Sequence, residues 1–299
     1  MLQVVRSKNP RFDQNSQKMK KSIVVLILLF CFTFSTYSQS YTNYNNDTSR
    51  SPYKISWKLD APWVGVGLGL NVLGLKLIQD KDDLSLEELN DLSKDDVPGI
   101  DRFLAGNYSE NADKVSYYPF YGSFAVPVIM MVADKNMRSN AGQISVMFVE
   151  SMATTGALFT ITAGVVDRAR PLAYNSSVPE GERREAGAQR SFFAGHTAAT
   201  ASASFFAAKI YHDFYPDSAA KPYVWTAAAL VPAWVAYLRA EAGKHFLTDN
   251  IVGYAVGAAS GILIPELHKK KDRSIDVAPT MGIDIEGNEY QGLSLQYSF

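Results

Sequence analysis

Three short clusters hold residue types able to do chemistry together. The first is Arg239, His245 and Asp249, in the pattern R-x5-H-x3-D. A spacing of four places His245 and Asp249 on one face of a helix. A carboxylate there holds one imidazole nitrogen, fixes the tautomer and leaves the other nitrogen free as a nucleophile. Arg239 adds a permanent cation whose planar fork suits phosphate oxygens. The second cluster is Ser191-Phe192-Phe193-Ala194-Gly195-His196. It opens a helix, where free N–H groups and a glycine make an anion site, and His196 can protonate a leaving oxygen. The third is Asp167-Arg168-Ala169-Arg170-Pro171, read as a helix end stopped by proline. Arg170 is its phosphate clamp, and Arg168 is a further candidate. Taken singly, each cluster has an ordinary reading: a helix-end histidine with an i,i+4 partner, a loop histidine beside a cap, a solvated basic helix end. Their combination points to phosphoryl chemistry.

Six apolar segments must position these groups: 62–78, 119–133, 143–166, 195–211, 223–238 and 250–265. They are rich in Gly and Ala and lack strand-type alternation, so they read as helices. The sequence therefore predicts an all-α fold, a six-helix core bundle with the active site at one end. An acidic stretch with Asp82, Asp83, Glu87, Glu88, Asp91, Asp95 and Asp96 lies between the first two segments. Its Leu84, Leu86, Leu89 and Leu92 predict a short amphipathic helix, read as a solvated lid or linker. The tail alternates apolar and polar residues, with Val277, Met281 and Ile283 before Glu286-Gly287-Asn288 and Leu293, Leu295 and Tyr297 after it. That predicts a short C-terminal β-hairpin, its apolar face packed on the helical domain.

The 299 residues divide into an N-terminal extension with an export run (1–38), a Ser/Thr/Asn/Tyr-rich exposed linker (39–56), the helical domain (57–267) and a basic stretch with the hairpin (268–299). Net charge is −1, which gives no field for nucleic acid. The one cysteine, Cys31, lies in the N-terminal run, so disulfides and thiolate metal sites are excluded. Lys18, Lys20 and Lys21 precede the apolar run 23–34, and Thr36 and Ser38 supply small residues before Gln39. This reads as a signal peptide or a retained signal anchor, and it places the protein in the cell envelope. The mean hydropathy of −0.08 is low for six spans. Lys135, Arg138, Lys209, Lys221 and Lys269 nevertheless fall in alternate connections, as the positive-inside rule requires. The active-site loops then face the periplasm, whether the bundle is integral to the membrane or periplasmic.

The clusters resemble the type 2 phosphatidic acid phosphatase / vanadium-dependent haloperoxidase superfamily. Its signature runs K-x6-R-P, then P-S-G-H, then S-R-x5-H-x3-D. Arg170-Pro171, Gly195-His196 and Arg239/His245/Asp249 match it in order, within residues 115–265. The signature Lys falls on Ala163, the Pro and Ser of the second motif on Phe193 and Ala194, and the leading Ser of the third on Leu238. The resemblance implies a metal-independent phosphoric ester hydrolase. His245 attacks phosphorus to give a phosphohistidine, Asp249 orients His245, and His196 serves as acid and then base. Arg170, Arg239 and the Gly195 amide hold the phosphate, with Arg168, Arg190 or Lys244 as replacements for the absent lysine. No cofactor is implied; vanadate enters only in the haloperoxidase alternative, and a third alternative is a non-catalytic envelope protein of the same fold. The implied substrates are phosphate monoesters or diphosphates, either a phosphorylated lipid at the membrane or a small soluble phosphomonoester.

Overall fold

The computed structural model describes residues 51–270, 275–283 and 289–297. The export run and residues 39–50 of the linker lie outside the described residues. Six long helices carry the fold: α1 (Trp57–Gln79), α2 (Glu110–Ala133), α3 (Ala141–Val165), α4 (Gly195–Phe214), α5 (Lys221–Glu241) and α6 (Leu247–His268). Each apolar segment read from the sequence falls on one of them. Local chemistry sets several starts. Ser109 accepts a hydrogen bond from the Ala112 amide ahead of α2, and the Asp249 carboxylate accepts one from the Phe246 amide at the start of α6.

Successive helices run in opposite directions, so their ends alternate between two ends of the bundle. α4 lies at the centre and packs on α2, α3, α5 and α6, while α1 lies along α3. The centre of the bundle suits α4 because its Ala, Ser and Thr residues leave a narrow cylinder, buried through most of its length. α6 comes close to it along Gly253, Gly257 and Gly261. A Cβ at any of these would collide with the carbonyl oxygen of Ala194, Ala198 or Ser202. This is small-residue packing of the kind that brings helices together in membranes.

α1, α2, α3 and α6 are long and apolar enough to cross a membrane. Their outward faces are apolar as well: Val66 and Val72 on α1, Ile129 and Val132 on α2, and Ile251 and Leu263 on α6 are exposed. Such a belt is far larger than the scattered apolar residues of an ordinary soluble surface.

One end of the bundle is capped by connections. The acidic stretch does form the expected helix, Leu86–Asp91, with a Ser85/Glu88 capping box. Its acidic residues are exposed, as expected of a solvated lid, while two of its leucines dock it on the bundle. Leu84 and Leu89 are buried, and the Leu84 amide and carbonyl bond to Arg184 at 2.8 and 2.7 Å. The end of the predicted linker is also docked rather than exposed. Tyr53 is buried, and its hydroxyl donates to Asp213 at 2.7 Å.

The tail is an antiparallel hairpin of β1 (Ile275–Ile283) and β2 (Glu289–Tyr297), with Val277 opposite Leu295 and Met281 opposite Gln291. Its turn residues Glu286, Gly287 and Asn288 lie outside the described residues. Met281 and Leu293 are 75% and 76% exposed, so at these two positions the expected packing on the bundle is absent.

Candidate active site

The capped end brings the three clusters together, in a geometry that differs from the sequence reading in three places. First, α3 stops at Val165, so Pro171 does not end it. Residues 168–170 run extended against 188–191, with amide-to-carbonyl bonds Arg168 to Gln189 (3.0 Å), Arg170 to Ala188 (2.7 Å) and Ser191 to Arg168 (3.0 Å). This pairing satisfies the backbone in place of another helical turn. Pro171 instead opens a 3-10 turn, Pro171–Tyr174.

Second, His245 and Asp249 do not share a helix face. α6 begins only at Leu247, because the Asp249 side chain caps its start. His245 lies ahead of the helix, in the turn that follows Gly243. That glycine has φ +68°, and a Cβ there would strike the Asn107 carbonyl. The imidazole Nδ1 of His245 lies 2.6 Å from the Ser191 carbonyl oxygen. A carbonyl can only accept, so Nδ1 carries the hydrogen and Nε2 keeps a lone pair. The Asp249 carboxylate acts one step back. It accepts from the Ser191 hydroxyl at 2.5 Å and from the Phe246 amide at 2.8 Å, and it pairs with Arg168.

Third, Arg168 is engaged by acidic partners. Its guanidinium bridges Asp249 and Asp101, the latter at 2.7 Å, and lies 4.8 Å over the Phe246 ring. Asp101 also accepts from the Thr248 amide and hydroxyl at 2.9 and 2.5 Å. Arg168 therefore belongs to the scaffold beneath the site. Replacing Asp249 by asparagine leaves that guanidinium half unpaired and should cost about 3 kcal/mol of stability. The measurement is the denaturation midpoint. Ser191→Ala removes one neutral hydrogen bond and should cost only about 1 kcal/mol.

The remaining cations do converge. Arg239, at the end of α5, is buried, and pairs with Asp113 and Ser116 of α2. Lys244 lies 3.6 Å from the same Asp113. Arg170, Arg190 and Arg239 each present a buried Nε without a hydrogen-bond partner. Burial, then Arg239 and Arg190, bring the Arg170 guanidinium down to about 9. Burial also lowers the Lys244 ammonium, with Arg170 and Arg239 adding to it. His245 is held well below its usual range by burial and by Arg170 and Arg239. His196, in the first turn of α4, is pushed down to about 3 by burial and the same two arginines. Its ring packs on Tyr117 and Phe120 at centroid distances of 5.2 and 4.5 Å.

Partly buried cations that repel one another, N–H donors without acceptors and two neutral imidazoles can together receive a compact, multiply charged oxyanion. The first-turn amides of α4 at Gly195 and His196 add donors that no helical carbonyl can fill. Ala163 and Ala194, which replace the signature lysine and serine, are both fully buried and offer no polar group. Lys244 and Arg190 lie close to Arg170.

Ser191, Asp101, Asp113 and Tyr117 also build the site and had no assigned role in the sequence reading. Only Ser191 carried a signal, its place in the second cluster. The other three reach the site from α2 or a loop, with no motif around them.

Residues 145–273 match the family model of the PAP2 superfamily. No curated protein and no solved structure matches the chain. The matched span contains Arg170, Arg190, Gly195, His196, Arg239, Lys244, His245 and Asp249, the residues that the fold gathers at one end of the bundle. That match and that gathering place residues 145–273 in the PAP2 superfamily.

Proposed function

We propose that this protein is a membrane-embedded phosphatase that hydrolyses lipid-linked phosphate monoesters or diphosphates through a phosphohistidine. The observation that carries this reading is the group of Arg170, Arg239 and Lys244, with Arg190 beside Arg170, around two neutral histidines. His245 Nε2 attacks phosphorus while Nδ1–H stays on the Ser191 carbonyl, which stabilises the cationic ring that forms. The cations hold the non-bridging oxygens as charge redistributes, a role that metal ions fill in other phosphatases. The bond to the leaving oxygen breaks as His196 protonates it. Water then attacks the phosphohistidine, with His196 taking its proton.

His196 lies partly open at the mouth of the site and His245 is closed beneath it, an order that suits acid and nucleophile. A His196 held near 3 carries no proton at neutral pH in the empty site. The proton it donates therefore arrives with a monoanionic phosphate. As the second phosphate ionisation lies near pH ~6, kcat/KM should fall as pH rises above about that value. His196→Ala should slow alkyl phosphates by about 100-fold or more and aryl phosphates with good leaving groups much less. Equal losses on both classes would remove His196 from the acid role.

The exposed apolar belt supports lipid substrates over soluble ones. The connections bearing Lys135, Arg138, Lys221 and Lys269 lie at the end opposite the site, which supports an outward-facing site under the positive-inside rule. That orientation puts residues 51–56 on the inner side, where a cleaved export signal directly ahead of α1 would not leave them. The test of function is phosphate release by the purified protein from lipid phosphates, lipid diphosphates and nitrophenyl phosphate in mixed micelles. Activity confined to the soluble ester would overturn the lipid assignment.

A further inference from the structure

At the end of the bundle opposite the phosphate pocket, Asp60 of α1, Glu150 of α3 and His268 of α6 converge. Asp60 and Glu150 are 6% and 1% exposed. His268 Nδ1 lies 2.7 Å from the Ile264 carbonyl, so it carries the hydrogen and fixes the ring. Nε2 then faces the two carboxylates, 3.4 Å from Asp60 Oδ1 and 3.3 Å from Glu150 Oε2. Glu150 Oε2 makes no hydrogen bond at all. The other Asp60 oxygen is already used by the Ser56 amide at 2.6 Å. Two buried acids around one imidazole, inside helices of membrane-spanning length, need positive charge among them, from a proton or a metal ion.

The spacing is compatible with a small tetrahedral metal ion. In a tetrahedral zinc site with bonds of about 2.0–2.1 Å, neighbouring ligand atoms lie about 3.3–3.4 Å apart. Both separations from His268 Nε2 agree with that edge, and all three ligand atoms lie within 4.8 Å of one another. A metal-bound histidine also commonly donates its other N–H to a carbonyl, as His268 does to Ile264. We propose that Asp60, Glu150 and His268 form a divalent-metal site, best fitted by zinc with water as fourth ligand, that locks α1 onto α3 and α6. α1 gains most from such a lock, because much of its length is exposed to the surroundings. The site lies about 28 Å along α6 from Asp249, at 1.5 Å per residue. Its role is structural, and it does not depend on the phosphatase reading.

The full chain, purified in detergent without chelator, should retain about one equivalent of zinc through gel filtration. Chelation should lower its thermal midpoint by about 5 °C or more, and added zinc should restore it. Cobalt(II) in place of zinc should give the visible absorption of a four-coordinate N/O site. Glu150→Gln keeps the side-chain shape and should lower retained metal about tenfold or more, with a midpoint that no longer responds to zinc. Glu266→Gln alters a carboxylate paired with Lys209 at the same end and should keep the metal. If His268→Ala fails to fold, the wild-type chelation series and Glu150→Gln still decide. A wild-type protein without bound metal, whose midpoint ignores zinc, overturns the proposal. So does Glu150→Gln retaining as much metal as wild type.

Discussion

Replacing His245 with asparagine should lower turnover by about four orders of magnitude or more while the protein stays folded. Asparagine is chosen because its amide N–H can take over the bond that Nδ1 gives the Ser191 carbonyl. An alanine there leaves that buried acceptor unpaired at about 1–3 kcal/mol, so lost activity could reflect lost structure. With asparagine the donor stays and the nucleophile goes. The loss should be equal for alkyl and aryl phosphates, because no leaving group compensates for an absent attacking atom. Parallel assays on both substrate classes, with melting curves, check this. An asparagine variant within about tenfold of wild type would contradict the nucleophile assignment.

Arg170→Met should produce two effects of opposite sign. The Arg170 guanidinium is crowded by Arg239 and Arg190 in a poorly solvated pocket, which is why it falls to about 9. Its Nε has no hydrogen-bond partner within the protein. Methionine removes both the repulsion and the unmet donor, so the ligand-free protein should be at least as stable as wild type. Turnover should fall about 100- to 1,000-fold, as when a donor to a developing oxyanion is lost. Inorganic phosphate should raise the melting midpoint of wild type and leave the variant almost unmoved. A destabilised Arg170→Met with normal turnover would make Arg170 a structural residue.

The sequence makes the helices and the phosphate-facing residues readable for separate reasons. The helices follow from long apolar runs, because a bundle end-to-end needs continuous apolar length and this chain has little else to bury. The order of Arg170, Gly195-His196 and Arg239/His245/Asp249 is readable because each motif is a short local stretch of chain. What the sequence hides is the partner of each group. The i,i+4 spacing of His245 and Asp249 suggests a direct pair, yet capping of α6 by Asp249 moves His245 off the helix. Ser191 then takes both contacts, its carbonyl on His245 and its hydroxyl on Asp249. Nothing in the spacing separates Arg168, bound to Asp101 and Asp249, from Arg170, which lacks a partner at Nε. Asp101 and Asp113 come from distant connections, and only the packing of the bundle brings them in.

The central claim is that a phosphoryl group passes through His245. Turnover of a substrate carrying radiolabelled phosphate, stopped by rapid quench in alkali, tests it most directly. The account predicts label on the peptide containing His245, stable in base and released by mild acid as a nitrogen-linked phosphate, and absent from the asparagine variant. Label on another residue, or an active enzyme that never becomes labelled, would contradict it.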